Sequence, residues 1–423
     1  MTFNGLWRNR DFLKLWVGQT VSEMGSRITR DGVPLAAVMA LHAGPIEMGL
    51  LRAIGGAATL VLGIYAGMWV DRLRRRPIMI VADIGRAALL ATIPIAASAG
   101  RLSMSLLYVV AAATGVLTIF FDVAYQTYVP ALVERGNILE ANGKLSMSAS
   151  IAEVTGPGLT GVLVQLLTAP IAILFDAVSF LFSAVTVAAI RKPETAPVRC
   201  EEGHPLREAL AGLRFVWSHP ILRAMASYAV TTYFCYGILG ALYIVYAIDS
   251  LKMGPILLQL AITCGGVASL MGSAAASRIS AKLGLGATFI GSATITGLGS
   301  FLIPAAHSGG IVWATSMIVL SQFVCDFNLT VYNVHELTVR QTLAPQEMLG
   351  RVNASMRLLT FGVLPIGSAL GGLIAVPLGM PGAMVVAASG IAASTLWLIC
   401  SPVRTCFITP HRRVCGRSAA TGE

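Results

Sequence analysis

Four charged residues lie on one face of an otherwise apolar stretch near the N-terminus. They are spaced at i, i+4, i+7 and i+8, which is one side of a helix, and they are Glu23, Arg27, Arg30 and Asp31. At this spacing Glu23 can pair with Arg27, and Arg27 with Asp31. Each charge placed in hydrocarbon costs a few kcal/mol, so this face must point to a central cavity or to another charged helix.

Proton binding is the chemistry that this face supports. Burial favours the protonated form of a carboxylate and a nearby guanidinium favours the ionised form, so Arg27 or Arg30 could switch Asp31 or Glu23 between the two states. The alternative is a fixed ion-pair network that only positions the helix. In the next apolar stretch Arg52 is a candidate partner for Asp31.

Other carboxylates also fall inside apolar stretches. Glu153 lies about two turns into one of them, and its side chain could face a cavity. Asp122, Asp176 and Asp326 could equally bond neighbouring helices. The sequence leaves both possibilities open for each of these groups.

The elements that must position these residues are membrane-spanning helices. The chain has 423 residues, of which 56% are hydrophobic and only 12% charged, whereas a soluble chain carries about 25% charged residues. Apolar blocks of about 20 residues, the length that crosses a ~30 Å hydrocarbon core, recur throughout. We predict an all-α polytopic membrane protein with twelve spans, at about 15–40, 47–70, 77–98, 104–127, 145–168, 170–190, 223–249, 256–277, 286–306, 310–334, 353–376 and 382–400.

Lys and Arg residues outside these spans fall almost entirely on one side of the predicted membrane. Counted by segment, 24 lie on the side of the two termini and two, Arg101 and Lys252, on the other. Basic loops mark the cytoplasmic side. The split predicts a multi-pass protein of the bacterial inner membrane with both termini in the cytoplasm. It also accounts for the net charge of +10 without a nucleic-acid partner.

The second half of the chain repeats the first. Residues 132–161 match residues 343–372 at an offset of 211, which aligns Gly156 with Gly367. Six spans separate the copies, so both copies enter the membrane from the same side. The predicted units are an N-terminal six-helix half at 1–190, a cytoplasmic linker at 191–222, a C-terminal six-helix half at 223–400 and a cytoplasmic tail at 401–423.

A charged motif follows the second span. It runs Gly67-x-x-x-Asp71-Arg72-x-x-Arg75-Arg76. The motif resembles motif A of the major facilitator superfamily, although the superfamily usually has glycine where this chain has Arg74. Two six-helix halves related by an axis along the membrane normal are also the layout of that family.

This resemblance implies alternating access between the two halves. Asp71 would form a charge-relay latch with the motif's arginines and with the start of span 11 near Asn353, where a helix N-terminus favours a carboxylate. Asp83 and Arg86, spaced i, i+3 in span 3, would join this latch. The residues of the latch would gate transport and would not touch the substrate.

Three further stretches carry a resemblance to exporters. The entry Trp7-Arg8-Asn9-Arg10-Asp11-Phe12 and the later run Phe175-Asp176-Ala177-Val178-Ser179-Phe180 resemble the branch of macrolide efflux proteins and enterobactin exporters. In span 5, Gly156-Pro157-x-x-x-Gly161 resembles the antiporter motif C, without its upstream glycine and final glycine pair. These stretches imply export.

No enzyme signature is present in the sequence. It contains no Walker-type phosphate loop, no metal-ligand spacing and no nucleophile elbow, so we predict no catalytic residue, no cofactor and no metal. The expected function is proton-coupled efflux of small amphipathic molecules, such as drugs, macrolides or siderophores, by a monomeric antiporter in the lipid bilayer. The alternatives are an importer of a metabolite or siderophore with the same fold and a non-transporting membrane protein.

Overall fold

A computed structural model of the protein describes residues 6, 9–192, 194, 205–405, 407–409 and 412–414. Within these ranges it describes the backbone alone for residues 58–68, 71–72, 135, 205–209, 405, 407–409 and 412–414. Helices make up nearly all of the described chain.

Six long helices follow one another in the N-terminal part. Each corresponds to one predicted span, with ends that differ by up to seven residues; they are α1 (Arg10–Leu41), α2 (Pro45–Arg72), α3 (Arg75–Ser98), α4 (Met104–Leu132), α5 (Ile138–Leu166) and α6 (Ala169–Ala188). Polar caps set several of their ends. The Asn9 side chain accepts hydrogen bonds from the N–H groups of Asp11 and Phe12 at the start of α1, and Ser103 accepts one from Leu106 in α4.

Seven further helices follow in the described C-terminal part. They are α7 (Pro205–Ser218), α8 (Pro220–Val245), α9 (Pro255–Leu283), α10 (Leu285–Ser300), α11 (Leu302–Ala305), α12 (Ile311–Leu343) and α13 (Leu349–Ile399). Inside α13, Gly379 has φ 70° and ψ 166°, a conformation that is essentially restricted to glycine. Pro377 and Pro381 flank this break, which separates predicted spans 11 and 12.

The predicted all-α membrane fold is confirmed. Counting the two parts of α13 separately, and α10 together with α11 and the turn that follows it, twelve helical segments of the described chain overlap the twelve predicted spans. By length and composition alone, eight of the described helices are apolar enough to cross a membrane. Charged residues lower the mean hydropathy of α1, which carries the predicted charged face.

Contacts divide the chain into two units, one comprising Met1–Gly203 with Ala241–Thr263 and the other His204–Gly240 with Cys264–Glu423. In the first, α1 packs against α5 and α6, α3 packs against α4 and α6, and α2 packs against α4. In the second, α10 packs against α12 and α13. The predicted division into halves at 191–222 stays a prediction.

Two elements were not predicted. The segment 205–218 of the predicted linker forms α7, which packs against α13 so closely that a Cβ on Gly212 would lie 2.5 Å from Ser355 Oγ. In the tail, strands β1 (Phe407–Thr409) and β2 (Arg412–Val414) pair antiparallel. Neither element carries the apolar run of about 20 residues by which spans were recognised.

Candidate functional site

The two faces of α1 have different neighbours. Gly18, Gly25 and Gly32 recur every seven residues along the face that packs on α6. A Cβ on Gly25 would lie 2.6 Å from Asp176 Oδ1, and one on Gly32 would lie 3.3 Å from Ile173 Cγ1. This glycine face was missed from the sequence, although its seven-residue spacing was visible there. Close packing at these glycines places α1 against α6, so that the charged face of α1 points towards α5.

Glu153 of α5 receives two arginines of α1. Its carboxylate forms an ion pair with Arg27 and a second with Arg30, whose Nη2 lies 3.2 Å from Oε1. The Arg27 side chain is mostly buried, whereas those of Arg30 and Glu153 are about half exposed. Within the described chain, Arg27 therefore pairs across two helices, and the predicted pairs with Glu23 and Asp31 become longer-range electrostatic interactions.

Asp31 lies among three guanidinium groups. Arg30, Arg52 and Arg27 all act on its charge, which includes the interaction with Arg52 that was predicted. Its Oδ2 atom is buried and has no hydrogen-bond partner among the described residues. This carboxylate therefore has one oxygen that is open to a proton.

Glu23 lines a separate polar cavity between α1, α4 and α5. The cavity measures about 380 Å³ and is bordered by Gln19, Glu23, Tyr125, Gln126, Val129, Asn142, Leu145, Ser146, Ser148 and Ala149. Thr20 donates a hydrogen bond to Ser148 at its edge, over 2.9 Å. The charged face of α1 thus contributes to two sites. Glu23 lines the cavity, and Arg27 and Arg30 form ion pairs with Glu153.

A second charged cluster is buried between α3, α4 and α6. Asp83 and Arg86 form an ion pair, and the guanidinium lies between the rings of Phe121 and Phe180, at 4.3 and 4.0 Å from their centroids. Asp176 of α6 interacts electrostatically with both charged groups. The bundle thus contains two charged sites, one at the α1–α5 contact and one deep beside α6.

Residues 15–364 match the family described as the Major Facilitator Superfamily. This match covers far more than half of the chain. The chain belongs to the Major Facilitator Superfamily. It is a multi-pass membrane transporter and not an enzyme.

Two proteins that are similar to this chain are named as exporters. The chain is 27% identical over 342 residues to the multidrug efflux pump Tap of Mycolicibacterium fortuitum, covering 78% of this chain and 81% of that protein. It is 25% identical over 378 residues to the enterobactin exporter EntS of Citrobacter koseri, covering 86% and 85%. The resemblance to drug and siderophore exporters is therefore confirmed.

Solved structures carry the same fold. A bacterial homologue of the iron transporter ferroportin, in its inward-facing state, matches with a TM-score of 0.72 and 18% identity. The match covers 92% of this chain and 98% of that one. At this identity the likeness shows the superfamily fold alone.

The residues that resemble motif A lie at the junction between α2 and α3. The side chains of Asp71 and Arg72 and the surroundings of Gly67 lie outside what the structure describes, so the predicted latch stays a prediction. Glu194 was missed from the sequence. Its carboxylate accepts hydrogen bonds from the N–H groups of Arg75 and Arg76, at 2.6 and 3.3 Å, and so caps the start of α3.

Basic side chains cap the helices that end on this side. The guanidinium of Arg76 donates to the carbonyls of Val187 and Ala188 at the end of α6, and Lys14 Nζ donates to Ala189 at 2.7 Å. Asp83 follows Arg75 by eight residues, about 12 Å along a helix. Among the described contacts, the buried Asp83 ion pair is separate from these caps, and its predicted part in the latch stays a prediction.

Asp11 ties the start of α1 to the segment after α6. Its carboxylate accepts hydrogen bonds from Lys14 Nζ at 2.8 Å and from the N–H groups of Arg191 and Lys192 at 3.2 and 3.0 Å. Asp11 precedes the predicted membrane span. Burial opposes ionisation, but these hydrogen bonds outweigh it and lower the pKa of Asp11.

The motif C glycines are close helix contacts. A Cβ on Gly156 would lie 2.9 Å from Arg27 Cγ on α1, and one on Gly161 would lie 2.9 Å from Gln259 Cβ on α9. Pro157 is buried inside the continuous helix between them. In the other unit, Gly367 packs in the same way against α8, with a would-be Cβ 3.0 Å from the carbonyl carbon of Phe234. The sequence repeat therefore places equivalent glycines at equivalent helix contacts.

The second unit contains a charged pair of its own. In the second unit Glu336 and Arg340 of α12 pair at 3.2 Å, and both are mostly buried; this pair was missed from the sequence because its residues lie near the end of a predicted span. The part of the chain that the structure describes contains no group of three or more His, Cys, Asp or Glu side chains arranged to hold a metal.

Proposed function

We propose that this transporter exports small amphipathic molecules in exchange for protons. The observation that carries the proposal is the ion-pair cluster in which Glu153 of α5 holds Arg27 and Arg30 of α1. It joins two transmembrane helices through groups whose charge depends on protonation. Helices that move during alternating access can make or break such a contact.

Charge balance explains how a proton acts on this cluster. The cluster and its charged neighbours on α1, α2 and α5 balance in charge. They carry three negative charges, on Glu23, Asp31 and Glu153, and three positive charges, on Arg27, Arg30 and Arg52. Binding of one proton by a carboxylate leaves a net positive charge, which the hydrocarbon surroundings disfavour. The cluster then relaxes through rearrangement of the helices or through release of the proton.

Exchange follows if the proton and the substrate compete. A cationic amphipathic molecule bound near Glu23 or Asp31 neutralises the carboxylate that a proton would otherwise occupy, so each ligand weakens binding of the other. Linkage requires this effect to be reciprocal. The polar cavity at Glu23, with the ring of Tyr125 in its wall, suits a molecule with an apolar body and a polar group.

Relatives and topology support the direction and the setting. The exporters Tap and EntS are similar over more than three quarters of this chain, which favours efflux of drugs or siderophores. The excess of Lys and Arg on the side of both termini supports cytoplasmic termini in a bacterial inner membrane. We propose a monomer, in which one chain provides both halves of the alternating-access cycle.

An accumulation assay tests the proposal. Cells that lack their major efflux pumps would express the protein or an empty vector, and would receive a panel of cationic dyes, macrolides and siderophores with and without an uncoupler. We expect lower accumulation of at least one compound, restored by the uncoupler. Higher accumulation would indicate import, and efflux that persists with the uncoupler would contradict proton coupling.

Matched variants link the result to the cluster. Glu153→Gln and Asp31→Asn should each strongly reduce uncoupler-sensitive efflux at equal expression, because each removes a group that can exchange a proton. The exposed Glu347 serves as the control carboxylate, and Glu347→Gln should transport like the wild type. Full transport by both cluster variants would show that the ion pairs only position α1.

A further inference from the structure

Asp83, Arg86 and Asp176 form a charged cluster inside the first unit, away from the charged face of α1. Only 0%, 4% and 1% of their respective surfaces are exposed. Charged side chains are rarely buried to this extent unless they are fully paired.

One guanidinium serves two carboxylates. Arg86 forms its ion pair with Asp83, and the rings of Phe121 and Phe180 hold it on both sides. Asp176 has no ion pair among the described residues. If both carboxylates were ionised, the cluster would hold one buried negative charge without a counter-charge.

The neighbours of Asp176 do not supply that counter-charge. Ser179 donates a hydrogen bond to Asp176 Oδ1 over 3.0 Å, and α1 presents Gly25 and the hydroxyl of Thr29. From α3, the charged groups that act on Asp176 are Arg86 and Asp83.

One oxygen of the cluster is left open. Oδ2 of Asp83 is buried and has no hydrogen-bond partner within the described chain. An unpaired buried carboxylate oxygen is costly, and a bound proton removes the cost because it cancels the surplus charge and supplies a donor. The cluster therefore has the surplus negative charge and the unpaired carboxylate oxygen that binding of a proton requires.

A polar route leads from the Asp83 carboxylate towards the cavity that contains Glu23. The hydroxyl of Ser183 lies beside Asp83, and Gln19 Nε2 donates a hydrogen bond to Ser183 Oγ over 3.1 Å. Gln19 is also a wall of the cavity that contains Glu23. The hydroxyl of Ser183 and the side-chain amide of Gln19 thus connect the buried cluster to the polar cavity.

We propose that Asp83 and Asp176 bind one exchangeable proton between them, held beside Arg86 and reached from the Glu23 cavity through Ser183 and Gln19. This proton site lies on α3 and α6 and is separate from the α1–α5 ion pairs. It exists whether or not the exported substrate is exchanged for protons. Proton binding breaks no covalent bond of the protein: the proton comes from water in the cavity and returns there.

Infrared difference spectroscopy tests this site without a substrate. The purified protein in lipid vesicles would be taken stepwise from acid to alkaline pH, and the C=O stretch of protonated carboxylic acids would be followed in H2O and in D2O. The wild type should show a band from one buried carboxylic acid that shifts in D2O and is lost as pH rises. Asp176→Asn and Asp83→Asn should each remove it.

Controls separate this result from misfolding and from transport. Asp176→Glu should keep a band at a shifted position, and Glu134→Gln, which removes an exposed carboxyl, should leave the original band unchanged. A wild type without a protonated carboxyl, or a protonated-carboxyl spectrum that is identical in the wild type and in both asparagine variants, would overturn the proposal. A band in a protein that shows no uncoupler-sensitive efflux would leave this site standing and would contradict the proposed function instead.

Discussion

Gly156 of α5 lies directly against the side-chain stem of Arg27 on α1, one helical turn from the Glu153 that Arg27 binds. The absent side chain at 156 is what lets Arg27 cross the helix and reach the carboxylate. One residue of the motif C resemblance thereby positions one residue of the charged face of α1. The two features, 129 residues apart in the sequence, belong to one site.

Replacing Gly156 by alanine should disrupt this site. The new Cβ would lie 2.9 Å from Arg27 Cγ, so α1 and α5 must separate, and overpacking of this kind costs about 1–3 kcal/mol. Efflux and the thermal unfolding temperature should both fall. Gly158→Ala is the matched control, because its Cβ meets only Thr263 Oγ1 at 3.4 Å. Equal loss in both variants would mean that helix flexibility, not the contact with Arg27, matters.

Removing the shared carboxylate should uncouple transport from the proton gradient. In Glu153→Gln, Arg27 and Arg30 lose their common partner, and we expect efflux driven by a pH gradient in vesicles to fall about 5- to 150-fold, the range of typical coupling energies. Stability should change little, because Glu153 is about half exposed. Adding Arg30→Gln should restore part of the activity. A further loss in the double variant would argue against charge balance.

The ring sandwich at Arg86 should make that position specific for arginine. Arg86→Ala leaves two buried carboxyl groups without their guanidinium partner and should destabilise the protein by about 3–5 kcal/mol. Arg86→Lys should be intermediate, since an ammonium cannot stack on both rings as a planar guanidinium does. Thermal unfolding of the purified protein measures both. Asp83→Asn introduced into Arg86→Ala should recover part of the loss, and a purely additive result would show that the two residues are not coupled.

Asp11 should make a pH-dependent contribution to stability. Its pKa is lower in the folded protein than its ordinary value of 3.8, so the folded state favours the ionised carboxylate. The contribution is therefore complete above about pH 4 and is lost as pH falls through the folded pKa. Asp11→Asn should cost at most about 1 kcal/mol near neutral pH. Unfolding of both proteins between neutral and acid pH measures the difference, which should vanish in acid; a constant difference would contradict the assignment.

The number and approximate positions of the spans were predictable because hydropathy is a local property. About 20 apolar residues are needed wherever a helix crosses the membrane, and Gly379 between Pro377 and Pro381 ends such a run without reference to any other part of the chain. The charged face of α1 was predictable for the same reason. Its four residues lie within nine positions of one helix, where the spacing alone sets the face.

The partners of those residues were decided by the packing of the helices. Arg27 was expected to pair with neighbours on its own helix, but the glycine contacts at Gly25 and Gly156 bring α6 to one side of α1 and α5 to the other, and Glu153 becomes the partner. Asp176 interacts electrostatically with Arg86, although the two residues lie 90 positions apart in the sequence. Ion pairs between helices depend on where backbones approach within a few ångströms, and that is a property of the assembled bundle rather than of any one segment.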